Sequence, residues 1–451
     1  MSNLIAKYNI PGPRYTSYPT VPYWEGRMDE QIWRQHVKQA FDQSNAESGM
    51  SLYIHLPYCE SLCTFCGCNT RITVNHAVEG PYMETLKKEW ALYREIFGAR
   101  PRIRELHLGG GTPTFFSPEN LSDMLQDILS HAEVTEDHAF GFEAHPRNTT
   151  RAHLEALRAS GFRRLSLGIQ DFDPVVQDVV NRHQSFEQVR EVTDCARELG
   201  YTSINFDLIY GLPFQKRSSV EDTVNKVLQL MPDRIAFYSY AHVPWIKPGQ
   251  RKFTEDDLPS DAEKRSLYEL GKGMLEDAGY IEIGMDHFAL ETDELYLSAQ
   301  NRTLHRNFMG YTPVYTRLMV GLGVSSIGDS WTAFGQNKKV VEEYMKDVQE
   351  GKLPIFRGHE LNDEDLFLRK QILNLMCHMD TEWPSGNAFE EVLTQGKAKL
   401  VEMEEDDLIE VGPNSVTIKP QGKPFLRNAC MAFDARLWRS KPKEQIFSKT
   451  I

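Results

Sequence analysis

The sequence predicts an α/β fold: a partial parallel (β/α) barrel, preceded by an N-terminal arm and followed by a small, mainly helical C-terminal domain. Three observations predict it. Short apolar runs alternate with stretches of helical periodicity from Leu52 to about Ile283, the pattern of parallel strands joined by crossover helices. The ends of these runs carry glycine or polar side chains one after another, as the strand ends of such barrels do. From about Asp363 the alternation stops, and helices followed by a hairpin take over.

The expected divisions are an arm over residues 1–35, the barrel over 36–350 and the C-terminal domain over 351–451. In the arm, Pro11, Pro13, Pro19 and Pro22 are interleaved with Tyr15, Tyr18, Tyr23 and Trp24. That is too much proline for a helix and too much aromatic surface for a disordered tail, so the segment should pack across the main domain. The barrel opens with the strand Leu52-Tyr53-Ile54-His55-Leu56, which Pro57 stops. A helix over 81–97 starts on Pro81 and sets Met83, Leu86, Trp90, Tyr93 and Phe97 on one face. Leu106-His107-Leu108 is the second strand, and Ser117-Pro118 caps the helix that runs to Leu129. Further strands are predicted over 139–144, 164–169, 203–209, 234–239 and 280–284, with helices over 150–159, 186–199, 217–231 and 260–278.

In the last region a helix over 363–379 precedes a second helical stretch ending at Asp406. Leu408–Val411 then faces Val416–Ile418 across Gly412-Pro413-Asn414-Ser415, a hairpin wing on a winged-helix-like domain. The tail with Arg436, Arg439, Lys441 and Lys443 reads as a solvated basic end, with contact to an acidic substrate as the alternative.

Composition excludes some functions. A net charge of -14 and a pI near 5.5 argue against nucleic acid or an anionic membrane as partner, because phosphate binding needs a basic footprint. No apolar run approaches the ~20 residues of a membrane span and no secretory leader is recognisable, so a cytoplasmic protein is expected. The seven cysteines are odd in number and mostly clustered, which favours reduced thiols over disulfides.

Four of those cysteines, Cys59, Cys63, Cys66 and Cys68, occupy ten residues directly after the first strand. The spacing fits neither ferredoxin runs nor zinc knuckles, which need a second pair further along. A four-iron cluster on three thiolates would leave one iron open for a ligand; a zinc knuckle or plain buried thiols is the competing reading. Gly109-Gly110-Gly111-Thr112 follows the second strand, Glu143 the third, Gln170 and Asp171 the fourth, Asp207 the fifth, Ala241-His242 the sixth and Asp286-His287 the seventh. Alone, the glycine run would be a tight turn. Next to a cysteine cluster it reads as a loop whose backbone approaches a ligand closely.

C-x3-C-x2-C resembles the signature of the radical S-adenosylmethionine (SAM) enzymes. The resemblance narrows with Tyr53 through Cys68, Gly168-Ile169-Gln170-Asp171-Phe172, Asp207-Leu208-Ile209-Tyr210-Gly211-Leu212-Pro213, Met285-Asp286-His287-Phe288, His305-Arg306-Asn307-Phe308 and the leader Gly12–Thr20. These look like the oxygen-independent coproporphyrinogen III oxidases, over essentially the whole chain. The resemblance implies a barrel of the radical SAM type, a 4Fe-4S cluster on Cys59, Cys63 and Cys66, and two molecules of SAM. Tyr53, Gly110, Glu143 and Ile327 would contact the molecule on the cluster. Phe65, Gly111, Thr112, Gln170, Arg182, Asp207 and Ala241 would hold the second. Cys68, Tyr53 and Glu143 are the candidate catalytic residues, with simple packing as the alternative reading of Cys68. The implied reaction is radical decarboxylation of two propionates of coproporphyrinogen III to vinyl groups, a step of heme biosynthesis. An electron donor such as flavodoxin or ferredoxin, an unnamed electron acceptor and a monomeric state complete the expectation.

The rival readings are a heme-binding chaperone and a radical heme methyltransferase on the same barrel. Relatives of those kinds typically lack the fourth cysteine, and the chaperones also lack the arm and the His-Arg-Asn-Phe run. Two positions depart from the family pattern. Many members have glutamine at Met309 and aspartate at His145, both near the inferred pocket.

Overall fold

The computed structural model describes residues 2–24, 26–245, 247–440 and 447–450. Six parallel strands run β1 Met50–Leu56, β2 Arg102–Gly110, β3 Glu133–Ala144, β4 Arg164–Gln170, β5 Ser203–Tyr210 and β6 Arg234–Ser239, each hydrogen-bonded to the next. Helix α1 Glu30–Ser44 precedes them, and α2 Glu79–Phe97, α3 Pro118–Ser130, α4 Arg151–Ala159, α5 Phe186–Glu198, α6 Arg217–Leu230 and α7 Asp261–Asp277 follow the strands in turn. The helix starts are written in the sequence. Ser117 caps α3 through the Asn120 N–H, and Ser185 and Gln188 form a capping box on α5.

The strand alternation has a physical consequence. Leu52, Ile54, Leu56, Leu106 and Leu108 are fully buried in one core with Leu86 and Trp90 of α2 and Leu121 and Leu125 of α3. Each such side chain contributes about 1.5–3 kcal/mol by leaving water. The residues between them, Tyr53, His55 and His107, turn to the opposite face and bond to one another and to Glu143. That inner face is where the chemistry collects.

Beyond β6 the sheet departs from the expected seventh parallel strand. The stretch 280–284 becomes β7 Ile281–Gly284, which turns back through Met285-Asp286 into β8 His287–Ala289. It is β8, antiparallel, that pairs with β6, so β7 is displaced to the sheet edge. A two-residue link is too short for a parallel crossover and makes a hairpin instead. His287 consequently lies within a strand rather than on a rim loop.

On the other side, β9 Met319–Leu322 pairs parallel to β1 and leads into antiparallel β10 Ile327–Asp329, β11 Ala333–Asn337 and β12 Ile355–Glu360. The described sheet has 12 strands and open ends, a partial barrel as predicted. Because β12 pairs with β11, the sheet runs on to Glu360, past the boundary expected at 350. Glu89 of α2 locks this extension. Its buried carboxyl accepts the Gly323 N–H at 2.8 Å, the Tyr344 hydroxyl at 2.7 Å and the Asn337 amide at 2.6 Å.

The C-terminal unit holds α8 Asp363–His378, four further α-helices among the described residues and the hairpin Ile409–Val411 with Ser415–Ile418, to which Asp380–Glu382 adds a third strand. The arm crosses it. Arg427 donates to the carbonyls of Gly12 and Pro13, Tyr15 donates to Asp434 at 3.1 Å, and Trp24 stacks on Phe334 of β11. The basic tail is used internally, since Arg436 pairs with Asp365 and Arg439 with Glu364; Lys441 and Lys443 lie outside the described residues. No helix among those residues is long and apolar enough to cross a membrane.

Candidate active site

The loop after β1 is held in place by the glycine run after β2. Gly111 donates to the Leu56 carbonyl at 2.8 Å and Thr112 to that of Tyr58 at 3.0 Å. A Cβ at Gly111 would sit 2.6 Å from the Pro57 oxygen, and one at Gly110, whose φ is +112°, 2.6 Å from the His55 ring. Only glycine allows this approach. The far side of the cysteine loop is tied to the helix Pro174–Val180, where Thr64 donates to the Val180 carbonyl at 3.0 Å and Asn181 to that of Leu62 at 2.8 Å.

Between these supports lies an open-mouthed cavity with about 1050 Å³ of unfilled space, its mouth included. Cys59, Cys63, Cys66 and Cys68 form one side of its wall, with Phe65 beside them. Gly110, Gly111, Thr112, Glu143, Gln170, Arg182 and Asp207 are also in the wall. Tyr53, Ala241 and Ile327 are not part of this lining. Tyr53 lies just behind it, bonded to His55 at 3.1 Å and within reach of Gly109 and Glu143. Ala241 offers its carbonyl to Gln250 at 3.2 Å, and Ile327 packs with Trp24 and Phe334.

The thiols have distinct environments. Burial pushes Cys59 up to about 11, although the Thr112 hydroxyl 3.4 Å away pulls it down. A hydrogen bond from Cys68 lowers Cys66, helped by the charges of Lys247 and Arg182. Arg182 reaches Cys63 at 3.6 Å while holding the Gly168 carbonyl. Thus cations stand beside the loop where thiolates must be stabilised. A four-iron cluster takes each thiolate on a different iron, so it asks for thiols spread round one cavity rather than converging on one point. The three thiols of the C-x3-C-x2-C run all line this one cavity.

The carboxylates opposite are tuned apart. Burial would raise Glu143, but the hydrogen bond with His107 at 3.5 Å and the Gly110 N–H at 3.3 Å outweigh it and hold the carboxyl below its usual range. Asp207 is pushed up to about 6 by burial and by the Glu143 charge, against the pull of Asn205 at 2.8 Å and Ser166 at 3.0 Å. Both remain acceptors at neutral pH, suited to hydroxyl or amino donors.

The comparisons with known proteins fall in line with this geometry. The Radical SAM superfamily model matches residues 53–227. The chain is 39% identical to the oxygen-independent coproporphyrinogen III oxidase of Helicobacter pylori J99, over 99% of this chain and 98% of the relative. It is 36% identical to that of Escherichia coli K12 over the same shares. The chain belongs to the oxygen-independent coproporphyrinogen III oxidases. The solved structure of that enzyme from Escherichia coli, HemN, described as a radical SAM enzyme, superposes with a TM-score of 0.89 at 35% identity, covering 96% of this chain and 98% of HemN.

Within this oxidase family the two departures now have locations. His145 lines the cavity, and its Nδ1 accepts the Arg147 N–H at 3.2 Å. That is the capping bond an aspartate would make at the same place, so the substitution keeps the turn. Burial, with Arg182 and Arg147 nearby, pushes its pKa down to about 2, so the ring is neutral where aspartate would be charged. Met309 lines a second cavity of the barrel interior, near Tyr311 and His287. The two cavities share Glu143, Ser166, Asp207 and Tyr238.

His107, Ser166, Asn205 and Tyr238 are site residues that sequence reasoning missed. A signal for the first three was present: each is a polar residue flanked by apolar ones in a strand, Leu106-His107-Leu108, Leu165-Ser166-Leu167 and Ile204-Asn205-Phe206. In a strand whose outer face is core, the odd polar position points inward.

Proposed function

We propose that this chain catalyses the oxygen-independent decarboxylation of two propionates of coproporphyrinogen III, giving the vinyl groups of protoporphyrinogen IX. One observation carries the reading: Cys59, Cys63 and Cys66 line the same cavity as Glu143, Asp207 and Arg182. When bound, a 4Fe-4S cluster and SAM supply the radical that abstracts a hydrogen. For each ring, the propionate would give a hydrogen atom to that radical, lose carbon dioxide and pass one electron to an external one-electron acceptor, leaving the vinyl group.

The chain's own residues bind and exclude water. Cys59, Cys63 and Cys66 are assigned as cluster ligands. Glu143, with Gly110, takes the SAM on the cluster through amino or hydroxyl donors; Tyr53, packed behind Glu143, backs that wall, and Ile327 belongs to the same subsite. Asp207 and Gln170 take polar groups of the second SAM, with Arg182 as carboxylate clamp and Phe65, Gly111, Thr112 and Ala241 completing its walls. Cys68, whose free thiol hydrogen-bonds that of Cys66, is assigned to the substrate side. The protein is read as a cytoplasmic monomer reduced by a flavodoxin or ferredoxin.

The test is anaerobic turnover of cluster-reconstituted protein with dithionite, SAM and coproporphyrinogen III. Protoporphyrinogen IX and 5'-deoxyadenosine by mass spectrometry support the oxidase. Deoxyadenosine without the porphyrin product rejects the substrate, and tight heme binding with neither product favours a chaperone.

A further inference from the structure

Three loops converge on the outer side of the cysteine loop, and they are unusually apolar for a surface. Leu62, between Cys59 and Cys63, and Ile72 are exposed at the cavity mouth. Val74 is 76% exposed on the same segment, which pairs back through Thr73 N–H to the Cys59 carbonyl at 2.9 Å. Trp245, 54% exposed, stands on a turn closed by Lys247 N–H to the Val243 carbonyl, and the following Gly249 packs against Leu62. Val340 is exposed on the third loop, whose Lys339 carbonyl accepts the Asn69 amide at 3.1 Å.

Two lysines stand beside this apolar ground in a protein of net charge -14. Lys247 bonds to the Gly67 and Cys68 carbonyls at 2.9 and 3.4 Å. Lys339, lowered by burial and by the charges of Arg357 and Lys247, stands close to both. Neither lysine has a carboxylate partner among the described residues; Arg71 is paired with Glu342 and Glu60 with His76. An apolar centre with an unpaired basic rim is the make-up of a protein-docking patch for an acidic partner. Its position over the cysteine loop places that partner within a few residues of the ligands.

We propose that this face docks a small acidic protein that carries one electron and passes it to the cluster, the carrier being oxidised by one electron and the cluster reduced by one. This rests on reading the cavity as the cluster site. The test uses the full chain, reduced flavodoxin as probe, and the variants Val74→Glu and Lys339→Glu, singly and together. Cluster reduction is followed by loss of visible absorbance, and binding of flavodoxin to the protein is titrated at two salt concentrations.

The expected result is a roughly tenfold or greater loss of flavodoxin-driven reduction in the double variant, weaker binding, and a steep salt dependence in the parent chain. Reduction by dithionite, which needs no docking, stays unchanged. Flavodoxin-driven reduction at the parent rate overturns the proposal. An equal loss with dithionite also overturns it, since the residues would then serve the cluster and not a partner. Because absorbance and binding are read without coproporphyrinogen, a wrong substrate would leave this outcome intact.

Discussion

Glu143 at the end of β3 accepts the backbone N–H of Gly110 at the end of β2, 3.3 Å away. The bond joins a carboxylate whose other oxygen faces His107 to the one loop that must approach a ligand closely. A single side chain thereby sets both the charge of the cavity wall and the position of its backbone.

Glu143→Ala should therefore release the glycine run as well as remove an acceptor. Misplacement by about 1 Å can cost roughly 100-fold in rate, and a loss of that order in 5'-deoxyadenosine formation is expected with dithionite as reductant. Cluster absorbance should persist. Deoxyadenosine at the parent rate would refute the role given to Glu143.

Replacing Cys59, Cys63 or Cys66 by Ala should each abolish the reconstituted cluster, measured as bound iron and visible absorbance. Cys68→Ala should keep both, because its bond to Cys66 is an accessory contact. Loss of iron in the Cys68 variant would make it a ligand and reassign the set.

The Asp207 carboxyl titrates at about 6, above its unfolded value. The sign follows: between pH ~4 and ~6 the unfolded chain ionises first, so folding loses stability as pH rises through this window and the penalty is constant above it. Asp207→Asn should thus stabilise the ligand-free protein by roughly 1–3 kcal/mol above pH 6 and not at pH 4. SAM binding should weaken in the same variant, the usual exchange of stability for function at a site. Urea melts at the two pH values, with a SAM titration, check both halves.

Arg427 is buried and holds the carbonyls of Gly12, Pro13, Lys449 and Thr450. Arg427→Met leaves those acceptors unpaired, at about 1–3 kcal/mol for each one that stays buried; detachment of the arm avoids this cost. Limited proteolysis should then cut within residues 1–35 while the remainder stays resistant. An unchanged cleavage pattern would show that the aromatic contacts of Tyr15 and Trp24 suffice.

Six parallel strands, their crossover helices and the polar residues at their ends are legible in the chain alone, because period-two and period-3.6 patterns are local and strand-end glycines and carboxylates punctuate them. The gathering of four cysteines on one loop is equally local, since spacing along a loop needs no fold to be read. That 281–284 is displaced by its own hairpin emerges only on folding, because which strand pairs with β6 depends on competing partners distant in sequence. Only folding brought His107, Asn205 and Ser166 to the carboxylates, and placed Lys247 and Lys339 beside the cysteine loop. Those residues come from strands and loops far apart in the chain, and their meeting is set by the curvature and register of the sheet.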